Sequence, residues 1–321
     1  METENYYIIN TKLAQILVQN KGLCAPRGKT REDYIFDFSV TPAKRPVYTK
    51  ALLFANDMSS GDDDLNLTPY DMAVADALNT VWMSGNPSKF TIGKIHHIMS
   101  GYRSNSLSQD KRAKIKESIS KLERISIIID CTDEMDHRKF KGYNIIGGPF
   151  LSLRRTTKSD LKPVAESSDR HFIIGKMMPL HNYANVLSQT IVIEKDVLAI
   201  DDGLQSSDTV ILLRRELYRQ ISLMKNANNN YTTNDIFYSY KGKGGQHKGL
   251  IASLGYTDID DVNRSLISDI HVKTIKILDA LKTSINGRRP FIVDYQVISP
   301  EGRPVGVKID CGAKESKKRD L

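Results

Sequence analysis

Basic and amide side chains recur along residues 106–125, "SLSQDKRAKIKESISKLERI". The apolar residues Ile115, Ile119 and Leu122 fall on one side of a helix with 3.6 residues per turn. Ammonium and guanidinium groups neutralise phosphates, while amide and guanidinium groups close to a helix start are suited to the edges of base pairs. The polar sides of this helix therefore hold candidate nucleic-acid contacts, namely Gln109, Arg112, Lys114, Lys116 and Lys121.

The elements around this segment predict how it is held. Before it, "LTPYDMAVADALNTVW" predicts a helix with Thr68 as its cap and Pro69 at its first position, and "FTIGKIHHIMSG" predicts a second, shorter helix. After it, "ISIIIDC" and "YNIIGGPFLSL" predict a hairpin. Helix, helix, basic helix and hairpin is the order of a winged helix-turn-helix domain, in which the third helix enters the major groove. The hairpin tip supplies three further candidate phosphate contacts, Arg138, Lys139 and Lys141.

The same order of elements is predicted a second time. "SDTVILLRRELYRQISLMKN" predicts a long helix and "YTTNDIFYSY" a short one, followed by a long helix within residues 258–285 and a hairpin around "PEGRP". This copy carries an insertion of about 20 residues that includes "KGKGGQHKG", judging by the length of the first copy. Two such units can contact two turns of one duplex. The candidate contacts of the second unit are Arg264, Ser268 and His271 on its third helix, and Arg288, Arg289 and Arg303 around its hairpin.

We therefore predict an α+β fold made of two tandem winged helix-turn-helix domains, mainly helical with small β-hairpin wings. The first domain with a structured connector is expected over residues 67–200 and the second over residues 201–321. Residues 1–66 contain strand-like pieces and receive no functional assignment.

The charge distribution agrees with a polyanionic partner. The chain has 321 residues, a net charge of +8 and a pI near 9.2, and the positive excess lies in residues 67–150 (+3) and 208–321 (+6). Since no apolar run approaches the roughly 20 residues of a transmembrane helix and no signal peptide is evident, we expect a cytoplasmic protein without membrane association. Three widely separated cysteines predict neither a disulfide framework nor a CxxC metal site.

Enzymatic alternatives find little support in the sequence. The segment "YSYK", with Tyr238, could supply the tyrosine of a DNA-nicking enzyme, but such enzymes also require a metal site, commonly His-apolar-His, and this chain has no HxH. His96 and His97 lack the spacing of a metalloprotease helix or a zinc finger. "GKGGQHKG" lacks the strand and helix context of a phosphate-binding loop. We therefore predict a protein that is not an enzyme and needs neither a cofactor nor a metal.

The tandem arrangement resembles the replication initiator (Rep) proteins of iteron-type plasmids and related mobile elements. The resemblance extends over about residues 67–310 and rests on "LTPYDMAVADALNTVW", "FTIGKIHHIMSG", "SISKLERISIIIDC" and "MPLHNYANVLSQTIVIEKDVL". It implies binding to repeated origin sites in double-stranded DNA, opening of the adjacent duplex and recruitment of the host initiator and helicase. It also implies a homodimer that represses its own gene.

Two alternatives to an initiator remain open at this point. The same units could form a transcriptional regulator that binds a single operator. They could also form a protein-interaction module whose winged helices bind partners other than DNA.

Overall fold

The computed structural model describes residues 5–25, 29–41, 46–56, 65–85, 89–101, 107–140, 144–155, 172–226, 234–242, 247–256, 262–283 and 289–312. The chain divides into two compact units. The amino-terminal unit comprises Ile9–Met99 and Asn105–Thr190, and the carboxy-terminal unit comprises Met1–Ile8, Ser100–Ser104 and Ile191–Leu321.

The described residues form helices and short strands in mixed order. The helices are α1 (Lys12–Gln19), α2 (Pro69–Met83), α3 (Ile92–Met99), α4 (Gln109–Arg124), α5 (Thr132–His137), α6 (Pro179–Val186), α7 (Lys195–Leu198), α8 (Asp208–Lys225), α9 (Leu250–Ser253) and α10 (Arg264–Leu281). The strands are β1 (Tyr6–Ile9), β2 (Cys24–Ala25), β3 (Phe36–Ser39), β4 (Tyr48–Ala55), β5 (Lys89–Phe90), β6 (Ile125–Asp130), β7 (Ile145–Pro149), β8 (Leu153–Arg155), β9 (Phe172–Ile174), β10 (Thr190–Ile193), β11 (Asp235–Phe237), β12 (Tyr240–Lys241), β13 (His247–Lys248), β14 (Asp294–Ile298) and β15 (Gly306–Asp310). The fold is α+β, as the sequence predicts.

Helix α2 forms the centre of the amino-terminal unit. It begins where the sequence predicts, because Thr68 caps it through the backbone N–H of Asp71 and Pro69 fits the first turn. All residues from Pro69 to Val81 are buried, and α1, α3 and α4 all pack against this helix. Helices that are enclosed in this way need apolar or small residues around their whole circumference.

The amino-terminal unit also contains a small three-stranded sheet, whose strands come from separate parts of the chain. Strand β5 directly precedes α3, and β8 and β9 follow α4. In the sheet the order is β5, β9, β8, with antiparallel pairing throughout. The rings of Phe90 and Phe172 stack across the β5–β9 pair at 5.4 Å between centroids. The core around α4 therefore consists of three helices and this sheet. The first of its strands along the chain, β5, pairs with the third, β9, and the third pairs with the second, β8.

A second sheet in this unit corrects the predicted wing. Strands β6 and β7 pair antiparallel, as expected for a hairpin, but β6 also pairs with β4, and β4 pairs with β2 and β3. Ile125, Ile127 and Ile129 point into the core, so β6 is an interior strand, and α5 connects it to β7. Strands β2, β3 and β4, from the segment that received no assignment from the sequence, thus complete a sheet of the amino-terminal unit, while β1 pairs with β10.

The carboxylate of Asp71 fixes α4 against α2. Asp71 is 2% exposed and its Oδ2 accepts hydrogen bonds from the backbone N–H and Oγ1 of Thr68, both at 2.8 Å. Ser118 Oγ donates to Oδ1 at 2.6 Å, and Lys121 Nζ lies 3.0 Å from Oδ2. One buried side chain therefore completes a capping box and carries two contacts to α4.

Asp71→Ala is expected to lower the free energy of unfolding by about 2–4 kcal/mol, because it removes the cap and leaves Ser118 and Lys121 without this partner. Urea denaturation at neutral pH measures the difference. Asp133→Ala, which removes an exposed carboxylate in the first turn of α5, is the matched control and should stay within about 0.5 kcal/mol of the wild type. Equal losses for the two variants would contradict the assignment of Asp71.

The carboxy-terminal unit repeats the arrangement of helices and sheet. Helix α8 begins at its cap Ser207 and packs against α9 and α10. The sheet has the order β11, β15, β14, so the first strand again pairs with the third and the third with the second. The predicted hairpin around "PEGRP" is confirmed, since β14 and β15 pair antiparallel from Asp294↔Asp310 to Ile298↔Gly306.

The short helix predicted at "YTTNDIFYSY" is wrong where the structure describes it. Residues 231–233 lie outside the described residues, and Asp235–Phe237 is the strand β11. Ile236 and Tyr238 are buried while Phe237 is exposed, which is the alternation of a strand. In the amino-terminal unit the strand runs directly into α3, whereas residues 238–249 separate β11 from α9. The insertion expected from the sequence therefore lies between the strand and the second helix.

Candidate nucleic-acid interface

One flank of α4 gathers the polar residues that the sequence places near the helix start. Ser108 caps the helix, and Gln109, Arg112 and Lys116 follow at spacings of three and four residues, which places them on one side. Gln109 and Lys116 are exposed and Arg112 is half-buried. Ile115, Ile119 and Leu122 bury the adjacent face of the helix against the core. Because Arg112 precedes Ile115 and Lys116 precedes Ile119 by three residues, this flank borders the packed face.

The other predicted residues of α4 lie on a different flank. Lys114 is exposed, with Nζ 4.5 Å from the ring centroid of Tyr70. Lys121 is bound to Asp71 and also donates to the backbone oxygen of Asn66 at 3.2 Å. The structure therefore corrects the placement of Lys121, whose charge is neutralised within the protein because its side chain follows Ser118 toward α2.

Two of the residues predicted at the first wing, Arg138 and Lys139, directly follow α5 in the connection between β6 and β7. Arg138 follows α5 and its guanidinium lies 3.2 Å from Glu134, which is buried and also accepts hydrogen bonds from Thr49 (3.0 Å) and Tyr183 (2.6 Å). Lys139 is exposed at the end of the same helix, and Lys141 lies outside the described residues. Because β6 and β7 belong to the larger sheet, they are not the isolated two-stranded wing that the sequence predicts.

The strand pair β8–β9 follows α4 in the three-stranded sheet, and it carries a basic residue that the sequence analysis missed. Arg154 lies on β8 opposite Ile173 and is exposed. Both strands have three residues, too few for a periodic signal in the sequence. The connection between them, residues 156–171, lies outside the described residues.

Helix α10 presents a longer polar stripe in the carboxy-terminal unit. Asn263 caps the helix through the N–H of Leu266 at 2.8 Å. Arg264 and Ser268 are exposed, as predicted, and Lys276 continues the stripe at four-residue spacing. Val272, also on the stripe, is 50% exposed. Lys276 was not among the predicted contacts, although its spacing of eight residues from Ser268, about two helical turns, is visible in the sequence.

His271 departs from its predicted position. It is half-buried, its Nδ1 forms a 2.7 Å hydrogen bond with the hydroxyl of Tyr238, and the two rings meet edge to face. Burial lowers the pKa of His271 below its ordinary value, which favours a neutral imidazole at pH 7. His271 therefore joins α10 to the residue that follows β11 and is not part of the exposed stripe.

The connection between β14 and β15 carries one predicted contact. Arg303 is exposed there, directly after Glu301 and Gly302, whose positive φ angles of 55° and 75° turn the chain. Arg289 is exposed ahead of β14, and Arg288 lies outside the described residues. The placement of Arg303 in the strand connection agrees with the sequence prediction.

Burial raises the pKa of three side chains that could act as nucleophiles when ionised. Tyr238 is fully buried and burial raises the pKa of its hydroxyl above the ordinary range. Burial also raises the pKa of Cys24 and of Cys131 to about 11 each, so neither is a thiolate at neutral pH. Within the described ranges, no group of three or more His, Cys, Asp or Glu could hold a metal ion.

No helix in the described parts of the chain combines the length and the apolar character that crossing a membrane requires.

Comparison with known proteins gives similarity to solved structures, among them two of RctB. One is the selenomethionine derivative of domains 2 and 3 of RctB, with 15% identity, a TM-score of 0.41 and coverage of 90% of this chain and 94% of that chain. The other is also RctB domains 2–3, with 13% identity, a TM-score of 0.39 and coverage of 92% and 97%. No family model and no curated protein matches the chain. The function is therefore argued from the residues of this chain.

Proposed function

We propose that the chain is a sequence-specific double-stranded DNA-binding protein in which each unit acts as a winged helix-turn-helix module. The observation that supports this most strongly is a duplication. Both units contain three helices and a three-stranded sheet in which the first strand pairs with the third and the third with the second. In both copies the third helix turns a polar flank with basic residues outward. This is the arrangement in which a helix enters the major groove while the strand connection contacts the adjacent backbone.

The chemistry of the α4 flank fits recognition of base pairs next to phosphates. Gln109 and Arg112 lie in the first turn of the helix, where side chains reach base edges. An amide suits adenine and a guanidinium suits guanine in the major groove. Lys116, one turn further on, suits a phosphate because its ammonium is a point charge. In α10 the corresponding assignments are Arg264 and Ser268 for bases and Lys276 for phosphate.

We further propose that this DNA binding serves replication initiation of the plasmid type, at repeated origin sites. Two modules in one chain lengthen the contact with DNA and suit repeated sequences better than a single half-site does. No catalytic group is assigned, and the burial of Tyr238 supports a role without strand cleavage.

Selection of bound duplexes from a random pool tests the proposal. A sequence-specific protein enriches defined sites, and its log K should fall with log[salt] by about 0.9 for each phosphate neutralised. Footprinting on the DNA that flanks the gene then separates the functions. A tandem array of sites supports initiation, and a single operator supports a transcriptional regulator instead. Failure to enrich any site would overturn sequence-specific binding and leave a protein-interaction module as the better account.

A further inference from the structure

The carboxy-terminal unit has a β-hairpin without a counterpart between β5 and α3 of the amino-terminal unit. Strands β12 and β13 pair antiparallel, with Tyr240 opposite Lys248 and Lys241 opposite His247. These four residues define the insert hairpin. It lies within residues 238–249, "YSYKGKGGQHKG", which contain three lysines and neither Asp nor Glu. The insertion thus adds positive charge to the module without adding acidic partners.

Tyr238 fixes the first end of the insert hairpin beside both elements assigned to DNA. Its hydroxyl is bonded to His271 of α10 at 2.7 Å, and its backbone N–H donates to the oxygen of Val305, in the β14–β15 connection, at 2.9 Å. Tyr238 has no exposed surface. The hairpin therefore starts from a point held between the third helix and the strand connection.

The second end of the insert hairpin is equally constrained. The oxygen of Tyr238 accepts a hydrogen bond from the N–H of Ile251 in α9 at 2.9 Å. Gly249 has a φ of 95°, and a Cβ there would lie 2.6 Å from the backbone oxygen of Phe237, so only glycine fits this close approach. Because both ends are anchored, the base of the hairpin is fixed against α9 and, through Tyr238, against His271 of α10.

The exposed surface of the insert hairpin combines aromatic and basic groups. Tyr240 of the hairpin is 51% exposed, and its ring meets that of Phe237, the 39% exposed last residue of β11, edge to face at 6.3 Å. Tyr240 and Lys248 are cross-strand partners, so their side chains share one face. Lys241 is on the other face with His247, whose Nδ1 is hydrogen-bonded to Ser239 Oγ at 2.6 Å. Each face thus offers one ammonium group.

We infer that the insert hairpin is a third DNA-contacting element of the carboxy-terminal unit, in which Lys241 and Lys248 bind backbone phosphates of the duplex and Tyr240 packs against the sugar-phosphate chain. This inference rests on the proposed function, since it places the hairpin on the duplex that α10 and Arg303 contact. Lysine ammonium groups suit phosphates, whereas base edges are read mainly by amide and guanidinium groups. The hairpin is therefore expected to raise affinity for all sequences by the same factor.

The test uses the full chain with Lys241→Glu/Lys248→Glu on a selected duplex and on a random duplex. We expect the salt dependence of log K to become less steep by about 1.8, because two phosphates each contribute about 0.9. Affinity should fall on both duplexes by an equal factor. Lys195→Glu, a charge reversal on the exposed side of α7, should leave the slope unchanged. If the charge reversal disturbs folding, Lys241→Gln/Lys248→Gln replaces it. This neutral variant should also make the salt dependence of log K less steep.

The outcomes separate the two proposals. If the wild type binds duplex DNA with a steep salt dependence and the hairpin variants do the same, the hairpin inference is wrong and the proposed function stands. A loss confined to the selected duplex would contradict phosphate binding by the two lysines. If the wild type shows no affinity for duplex DNA, both proposals fail.

Discussion

Arg112→Glu/Lys116→Glu is expected to lower the affinity for duplex DNA by about 10²–10³-fold, since each lost contact costs roughly 1–3 kcal/mol. The two side chains lie on the same flank of α4, one turn apart. Reversal removes two cationic contacts and places carboxylates against the phosphates, whose repulsion adds to the loss. Fluorescence anisotropy with a labelled duplex, recorded over a range of salt concentrations, measures both the affinity and its salt slope.

Two single reversals serve as controls for this result. Lys29→Glu changes an exposed residue of the amino-terminal unit outside the three helices and the small sheet, and it should change affinity less than threefold, which is under about 0.7 kcal/mol. Lys114→Glu lies on the opposite flank of α4, over the Tyr70 ring, and should have a smaller effect than reversal of Lys116. Unchanged affinity in the double variant would remove α4 from the interface.

Asp202→Ala is expected to lower the free energy of unfolding by about 3–5 kcal/mol, because it leaves a buried guanidinium without its counter-ion. Arg214 donates to the two carboxylate oxygens of Asp202 at 2.8 and 2.6 Å, and both side chains are almost fully buried, at 3% and 0% exposed. The guanidinium also donates to the backbone oxygen of Leu204 at 3.1 Å and to Ser206 Oγ at 3.3 Å. This network ties α8 to the segment that leads into it.

The neighbouring carboxylate supplies the matched control. Asp201 accepts a hydrogen bond from the N–H of Gly203, but its side chain is exposed. Asp201→Ala should therefore lower the free energy of unfolding by less than about 1 kcal/mol. In Asp202→Ala/Arg214→Met the buried charge is absent, and part of the lost stability should return. If urea denaturation gives the same loss for Asp201→Ala and Asp202→Ala, the buried pair does not hold α8 in place.

Local signals in the sequence were sufficient to predict most helices. Thr68 with Pro69 predicts a helix start that the structure confirms, because a side-chain cap acts within three residues of its own position. The buried side of α4 was predicted for the same reason, since helical periodicity places Ile115, Ile119 and Leu122 together.

The small sheets could not be predicted in the same way. Strand β11 has three residues and pairs with β15, whose residues lie about 70 positions further along the chain, as Ile236↔Val307 shows. Such pairing depends on the tertiary fold and overrides the helical appearance of "YTTNDIFYSY". The wing assignment failed for a related reason. β6 and β7 resemble an isolated hairpin in sequence, but β4 occupies the second edge of β6.

The sequence predicted which residue types lie on the candidate interface better than it predicted where their side chains lie. Spacing identifies Gln109, Arg112 and Lys116 as one flank, yet it gives no sign that Lys121 binds Asp71 or that His271 binds Tyr238. Those contacts depend on partners 50 and 33 residues away in the sequence. Long-range partners decide which basic side chains remain exposed.

Hydroxyl-radical footprinting of the full chain on a selected duplex tests most directly whether both units bind one DNA molecule. We expect two protected segments, one of which is lost in Arg112→Glu/Lys116→Glu and the other in Arg264→Glu/Lys276→Glu. A single protected segment, or two segments that neither variant alters, would contradict binding through α4 and α10.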